Sequence, residues 1–305
     1  MKRRKFIRNI ATGSAAIMTL TSAVQLAKTR RKVTLLHTND THSHIDPFPD
    51  NHGKYAGKGG VERRLKLVNL IREAEKNVLL LDAGDIFQGT PYFNIHGGEL
   101  EFKLMSKMGY DAATMGNHDF DGGMDGFNRV LPYAKFPFLC ANYDFSNTIL
   151  DGKTKHHQVF EKEGIKIGVF GIGVELEGLV SPELYKETQY MDPVSIAQNQ
   201  IDQLREKGCN LVICLSHLGY KAIRNKMCDP VLAKETHGLD LIIGGHTHTF
   251  LDHVEMYKNA KGQPVLINQV GWAGLILGRI DFYFKDNGAP DLYSSMILNT
   301  NYELT

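Results

Sequence analysis

The chain has 305 residues, of which 42% are hydrophobic and 23% are charged. This composition excludes wholesale disorder and a bundle of membrane-spanning helices. The formal net charge is +1, from 35 Lys and Arg against 34 Asp and Glu. Residues 1–27 hold five of the basic residues and no acidic one, so the rest carries 30 basic against 34 acidic residues, a net charge of −4. Such a mildly acidic body argues against binding to nucleic acid.

Residues 1–27 are predicted to be an export signal. The segment "MKRRKFIRN" is basic, "IATGSAAIMTLTSAV" is modestly apolar, and small residues follow it, which is the order of regions in a cleavable signal peptide. The pattern "RRKFIR" resembles the twin-arginine signal of bacteria and implies export to the periplasm. The alternative is a short uncleaved anchor, which would be the only contact of the chain with a membrane.

Short aliphatic runs then alternate with longer amphipathic segments. The predicted strands are "VTLLHT", "NVLLLDAG", "DAATMG", "FPFLCAN", "IKIGVFGI", "NLVICLSH" and "LDLIIGGH". The predicted helices are "GVERRLKLVNLIREAEKN", "LEFKLMSKMG" and "DPVSIAQNQIDQLREKGC". This alternation predicts an α/β fold with its site at the carboxyl ends of the strands. The segment from "VLINQV" to "MILNT" has no helical stretch and predicts closing antiparallel strands.

The chain shows no internal repeat and no long polar linker, so the simplest partition is one domain from about residue 33 to the end. Its four cysteines form no CxxC pair. They are Cys140, Cys209, Cys214 and Cys228. Buried free thiols are the expected state, although the sequence leaves a disulfide open.

Five of the predicted strands are followed at once by residues that can bind a metal. These are Asp40 and His42 in "NDTHSH", Asp85 in "DAGD", Asn117 and His118 in "GNHD", His217 in "SHLG", and His246 and His248 in "GGHTH". Each of these short segments would also suit a turn, a helix cap or a buried histidine. Together at one rim, however, so many imidazoles and carboxylates would repel one another without a cation.

The types of ligand narrow the choice of metal. Imidazole, carboxylate and amide oxygen without thiolate suit Zn, Mn, Fe, Co or Ni. The number of candidate ligands exceeds the needs of one tetrahedral ion and predicts two divalent cations that share a bridging carboxylate. The residual positive charge would favour a phosphate oxygen.

The segments "NDTHSH", "GDIFQGTP", "GYDAATMGNHDFDGG", "SHLG" and "GGHTH" occur in an order that resembles the calcineurin-like dinuclear metallophosphatases, and the 5'-nucleotidase branch in particular, over roughly residues 33–290. The resemblance implies a four-layer αββα sandwich with the metal site at the carboxyl ends of the strands. It implies a catalytic domain over residues 28–305. The family's second, nucleotide-binding domain is expected to be absent, or to be supplied by a separate polypeptide.

The resemblance also implies which residues hold the two metals. One is assigned to Asp40, His42, Asp85 and His248, and the other to Asp85, Asn117, His217 and His246. It leaves His118 off the metals, where it would stabilise the transition state and the leaving oxygen, held by Asp121. Asp119 is a rival partner for the same imidazole. Four further histidines fit no position of the family and are expected on the surface or around the site. They are His37, His44, His96 and His253.

The activity implied by this resemblance is hydrolysis of phosphate esters, 5'-nucleotides first, through attack of a metal-bridging hydroxide on phosphorus. A cyclic-nucleotide phosphodiesterase or nucleotide-sugar hydrolase is the alternative within enzymes. An exported protein that binds metal or phosphate without turnover is the alternative from another class, because a fold alone does not guarantee catalysis.

Overall fold

The computed structural model describes residues 31–223 and 227–300. Within them the strands are β1 (Arg31–Thr38), β2 (Val78–Asp82), β3 (Ala112–Ala113), β4 (Tyr143–Asp144), β5 (His157–Lys162), β6 (Ile165–Ile172), β7 (Gln189–Tyr190), β8 (Leu211–Ser216), β9 (Leu241–Gly244), β10 (Glu255–Lys258), β11 (Pro264–Asn268), β12 (Ile276–Phe284) and β13 (Pro290–Asn299). The helices are α1 (Val61–Ala74), α2 (Pro91–His96), α3 (Glu99–Met108), α4 (Gly123–Val130), α5 (Pro182–Tyr185), α6 (Pro193–Glu206) and α7 (Asp229–Glu235).

Two mixed sheets form the centre of the molecule. The first has the order β13-β12-β1-β2-β3. In it β1, β2 and β3 are parallel, β12 is antiparallel to β1, and β13 is antiparallel to β12. The second has the order β10-β11-β9-β8-β6-β5, in which the four inner strands are parallel and the two edge strands are antiparallel. A short ribbon of β4 and β7 stands apart from both sheets.

The two sheets pack face to face, and helices cover their outer faces. Alternate residues of a strand point to opposite faces, so Leu35 and Ile213 lie in the apolar layer between the sheets. Their neighbours face outwards, Leu36 against the layer that contains α1, α3 and α4 and Cys214 against α6 and α7. The expected α/β fold and its four αββα layers are therefore confirmed.

The strand register aligns the carboxyl ends within each sheet. In the first sheet Thr38 of β1 pairs with Asp82 of β2, which pairs in turn with Ala113 of β3. In the second sheet Ser216 of β8 pairs with Gly244 of β9. Within each sheet, the loops that carry the candidate ligands therefore begin at the same edge.

Most of the predicted elements are confirmed, including the three predicted helices, which correspond to α1, α3 and α6. The predicted strand "FPFLCAN" is wrong. This segment pairs only through isolated bridges at Phe138 and Leu139, and Pro137 has no N–H to donate to a continuous ladder. The expectation of closing antiparallel strands is confirmed for β12 and β13. It is confirmed only in part for β11, which pairs antiparallel with β10 on one side and parallel with β9 on the other.

The four cysteines are buried and free, as expected. The predicted export signal lies outside the described residues. Across residues 31–223 and 227–300, no helix is both long enough and apolar enough to cross a membrane.

Candidate metal centre

The strand ends gather six of the candidate ligands into two groups. One group is Asp40, His42 and His248, and the other is Asp85, His217 and His246. Within each group, one ligand atom per residue lies within 4.8 Å of the others. Asp85 also lies between the groups, since its Oδ2 is 3.0 Å from Nε2 of His217 and 3.8 Å from Nε2 of His42. Its position suits a carboxylate shared by two cations.

The backbone at this rim is strained. In the described part of the chain, ten residues other than glycine have a positive φ, and five of them belong to the two groups. They are Asp40, His42, Asp85, His246 and His248, with φ between 46° and 69°. Such conformations cost on the order of 1 kcal/mol or more each and persist only where the surroundings enforce them. Their concentration here points to a functional arrangement of the side chains.

Oδ1 of Asn117 is buried at the centre and has no hydrogen-bond partner. Nε2 of His217 is also buried, and it faces Oδ2 of Asp85 at 3.0 Å. The other ring nitrogen of His217, Nδ1, lies 2.6 Å from the carbonyl oxygen of Ala83. This contact assigns a proton to Nδ1, so Nε2 is the nitrogen that would bind a metal, as in metal-binding histidines. Nδ1 of His42 lies 3.2 Å from the carbonyl oxygen of Phe87, which orients that ring in the same way. The ligand set therefore fits a pair of divalent cations.

The electrostatics of the site favour positive charge. Burial opposes the charged form of His217, yet the Asp85 and Asp40 carboxylates raise its pKa to about 10. Burial would raise the pKa of Asp85, but the charge of His217 holds it well below its usual range. At His246, by contrast, burial and the neighbouring His217 lower the pKa to about 4. A neutral imidazole at that position is the form that binds a metal.

His118 and Asp121 form a pair beside the two groups. Nδ1 of His118 lies 2.8 Å from Oδ2 of Asp121, and this hydrogen bond raises the pKa of His118. The His118 ring lies edge-on to that of His42, with 5.2 Å between their centroids. Its backbone N–H donates to Oδ1 of Asp85 over 2.8 Å. Nε2 of His118 therefore remains available to a group bound next to the cations.

Asp119, the rival partner, has a different position. Its carboxylate is fully buried and accepts four backbone N–H groups, from Asp85, Ile86, Phe87 and Gly116, over 2.8 to 3.2 Å. It thus holds the loop after β2 against the turn after β3. The structure places Asp121, not Asp119, on the imidazole of His118.

Among the other histidines, His37 departs most from expectation. It is fully buried, and neither ring nitrogen has a hydrogen-bond partner. A Cβ on Gly278 would lie 2.1 Å from Nε2 of His37, so the ring packs directly over that glycine. Burial lowers the pKa of His37 to about 3. His37 is thus a neutral core residue, and the expectation that it lies at the surface or around the site is wrong.

Trp272 was not singled out from the sequence, yet it lies beside the site. Its ring stacks on His248 with 5.6 Å between centroids and an interplanar angle of 4°. His44 approaches the same indole edge-on at 5.2 Å. The turn that carries Trp272 gives no motif or periodicity that would have revealed this contact.

Asp229, at the start of α7, is a second residue missed by the motifs. It is fully buried, and Oγ of Ser216 donates to its Oδ1 over 2.5 Å. Its Oδ2 has no hydrogen-bond partner and lies against Gly244, where a Cβ would approach it to 2.3 Å. Asp229 therefore packs under the ends of both β8 and β9. Burial raises its pKa to about 8.

This combination of two face-to-face mixed sheets with carboxylate and imidazole ligands at their strand ends defines a class, the metal-dependent hydrolases. The chain matches the family model of the calcineurin-like phosphoesterases over residues 33–250. It belongs to that family.

Similar proteins agree with this assignment. The snake venom 5'-nucleotidase of Crotalus adamanteus is 32% identical over 288 residues, covering 88% of this chain and 48% of the relative. The trifunctional nucleotide phosphoesterase YfkN of Bacillus subtilis is 33% identical, covering 84% of this chain and 18% of the relative. The solved 5'-nucleotidase precursor of Thermus thermophilus superposes with a TM-score of 0.79 at 32% identity, covering 88% of this chain and 54% of that one. The chain thus spans about half the length of the venom and Thermus relatives.

The burial of Asp229 predicts a pH dependence of stability. Its pKa of about 8 in the folded state lies above its ordinary value of 3.8, so between these values the folded chain retains a proton that the unfolded chain releases. Stability from this group is therefore present at low pH and is lost as the pH rises towards 8. In metal-free buffer, the melting temperature of the wild type should fall relative to that of Asp229→Asn between pH 5 and pH 8.

The surface substitution Asp151→Asn controls for the loss of one carboxyl group. Parallel melting curves for the wild type and Asp229→Asn across this pH range would show that Asp229 is ionised in the folded protein, contrary to this prediction.

Proposed function

We propose that the chain hydrolyses phosphate esters, with 5'-nucleotides as its first substrates, at a centre of two divalent cations. The observation that carries the proposal is the convergence of two three-residue ligand groups beside the His118–Asp121 pair. His118 belongs to neither ligand group, so its imidazole, oriented by Asp121, can act as a proton donor beside the cations, and this supports turnover.

We assign one cation to Asp40, His42, Asp85 and His248, and the other to Asp85, Asn117, His217 and His246. The distances from Oδ2 of Asp85 to both groups and the unpartnered Oδ1 of Asn117 support this division. When bound, the two divalent cations, Zn, Mn, Fe or Co, would lower the pKa of water towards ~7 and neutralise charge on the phosphoryl oxygens. The carboxylates of Asp40 and Asp85 cancel only part of the cationic charge, so the centre would attract a phosphate.

His118 is proposed to act on the leaving group. Its Nδ1 is engaged by Asp121, and that hydrogen bond favours the protonated ring. Nε2 would then donate a proton or a hydrogen bond to the ester oxygen as the P–O bond breaks. Asp121 would orient the ring, and the buried carboxylate of Asp119 would hold Asp85 and the loop after β2 in place.

The relatives also support a second candidate activity. YfkN carries the description of a trifunctional nucleotide phosphoesterase, and the solved NAD nucleotidase of Haemophilus influenzae superposes with a TM-score of 0.77 at 26% identity, covering 88% of this chain and 50% of that one. The second candidate activity is therefore hydrolysis of cyclic nucleotides, or of pyrophosphate bonds such as those in nucleotide sugars.

The place of action proposed for the chain is the bacterial periplasm. The support is the basic and apolar pattern of residues 1–27. The comparisons do not support a separate polypeptide that completes the site, and the proposal does not include one.

A substrate panel tests the activity. The purified chain with added Zn, Mn or Co should release phosphate from AMP faster than from an aryl phosphate, and faster than it turns over a cyclic nucleotide or NAD. Phosphate release and product chromatography give the ranking. A preference for the diester or the dinucleotide would select the second activity, and two bound metals without any turnover would contradict the proposal.

Replacing the shared carboxylate should empty the centre. Asp85→Asn removes the negative charge that lies within reach of both groups, so metal content should fall from two ions per chain to less than one, and activity should be lost with it. Elemental analysis after dialysis measures the content. The exposed Asp125→Asn is the matched control, and full metal content in Asp85→Asn would exclude the bridging role.

Removing the imidazole of His118 should separate binding from turnover. His118→Ala leaves the proposed ligands intact, so two metals should remain, while kcat should drop on the order of 10²-fold or more because the leaving oxygen loses its proton donor. The highly exposed His253→Ala serves as control. If His118→Ala turns over at the wild-type rate, the role of this residue in catalysis is refuted.

A further inference from the structure

Two side chains of opposite charge are buried behind the loop that carries His42. Arg64 of α1 is 4% exposed and Glu101 of α3 is 3% exposed. Nε of Arg64 and Oε2 of Glu101 are buried and lack hydrogen-bond partners. Within the described residues, no ion pair joins either side chain to an opposite charge. Because an uncompensated buried charge is costly, this arrangement needs a physical reason.

Both side chains line a small cavity between α1, α3 and the loop after β1. Its volume is about 10 Å³, which leaves room for a single water molecule. A water there could accept the N–H of Arg64 Nε and donate to Oε2 of Glu101. The cavity thus offers a way to satisfy both unpartnered atoms at once.

Glu101 is connected to the ligand loop through its other oxygen. Oγ of Ser43 donates a hydrogen bond to Oε1 of Glu101, and Ser43 directly follows His42. Ser43 itself has a φ of 57°, and Thr90 Oγ1 donates to its carbonyl oxygen over 2.8 Å. Glu101 therefore helps to enforce the strained backbone next to His42.

Arg64 is connected to the other ligands of the same group. A Cβ on Gly274 would lie 1.9 Å from Nη1 of Arg64, so the guanidinium packs directly against the turn formed by residues 271–275. That turn carries Trp272, which stacks on His248. The backbone N–H of Ala273, in the same turn, donates to the carbonyl oxygen of Asp40 over 2.7 Å. Arg64 thus supports the segments that present Asp40 and His248.

We propose that Arg64 and Glu101 are positioning residues that share one buried water and set the geometry of the Asp40, His42 and His248 group for its cation. This rests on the proposed function, which assigns that group to cation binding. The contacts of Glu101 with Ser43 and of Arg64 with the turn at Gly274 lead to the segments that present this group. The pair therefore acts on one of the two cation sites.

The test is a titration of the metal-free full chain with Co²⁺, followed by visible absorption and calorimetry, neither of which requires turnover. The wild type should bind two ions, and His42→Ala identifies the transition that belongs to the Asp40, His42 and His248 group. Glu101→Gln should weaken that transition by about tenfold or more and leave the other unchanged. Glu99→Gln, a change at a partly exposed position on the same helix, should match the wild type.

Equal affinities for the wild type and Glu101→Gln, or equal weakening of both transitions, would overturn the inference while leaving the proposed function intact. A wild type that binds no Co²⁺ would overturn both. If Glu101→Gln does not fold, the double variant Arg64→Met with Glu101→Leu removes both charges together, a change that buried pairs tolerate. It should lose affinity at the same site, and unchanged affinity there would show that the pair serves stability alone.

Discussion

The geometry of this protein depends on two sheets packed face to face with their parallel strands ending at one rim. Within the sheets, the pairings of Thr38 with Asp82 and of Ser216 with Gly244 align the strand ends. Between the sheets, His217 contacts the carbonyl oxygen of Ala83, at the end of β2, over 2.6 Å. The backbone N–H of His246 donates to Oδ1 of Asp40 over 2.9 Å. The two ligand groups of the candidate centre follow from this convergence.

Bringing these strand ends together costs free energy, which the packing of the apolar layers elsewhere in the fold offsets. The rim combines strained backbone, carboxylates close to one another and polar atoms without hydrogen-bond partners, all of which disfavour the folded state. The apolar layer between the sheets and the two layers under the helices supply the opposing stabilisation. A bound cation would relieve the repulsion directly, which is why metal binding and the local stability of the rim are linked in this family of sites.

Prediction from the sequence succeeded where the signal is local. The helices α1, α3 and α6 follow from the spacing of their apolar residues, and the main strands follow from short aliphatic runs. Prediction failed where contacts with residues distant in the sequence determine the pairing or the burial of a segment. The segment around Phe138 looks like a strand but pairs only through single residues. His37 is polar and adjoins the motif region, yet the register of β1 against β12 places it over Gly278 in the core.

The sequence by itself determined which ligands are available and that they follow strands, because residue type and periodicity are properties of the local chain. Only the tertiary structure decided how they combine. The family resemblance implied that Asp40 and His248 share a metal and that Asp121 holds His118, but only the folded chain sets the distances between these groups. It also turns the Asp119 carboxylate onto backbone N–H groups and stacks Trp272 on His248. These contacts join segments far apart in the chain or depend on a turn of specific geometry. Their distances are set by sheet register and packing, which hydrophobic periodicity does not encode.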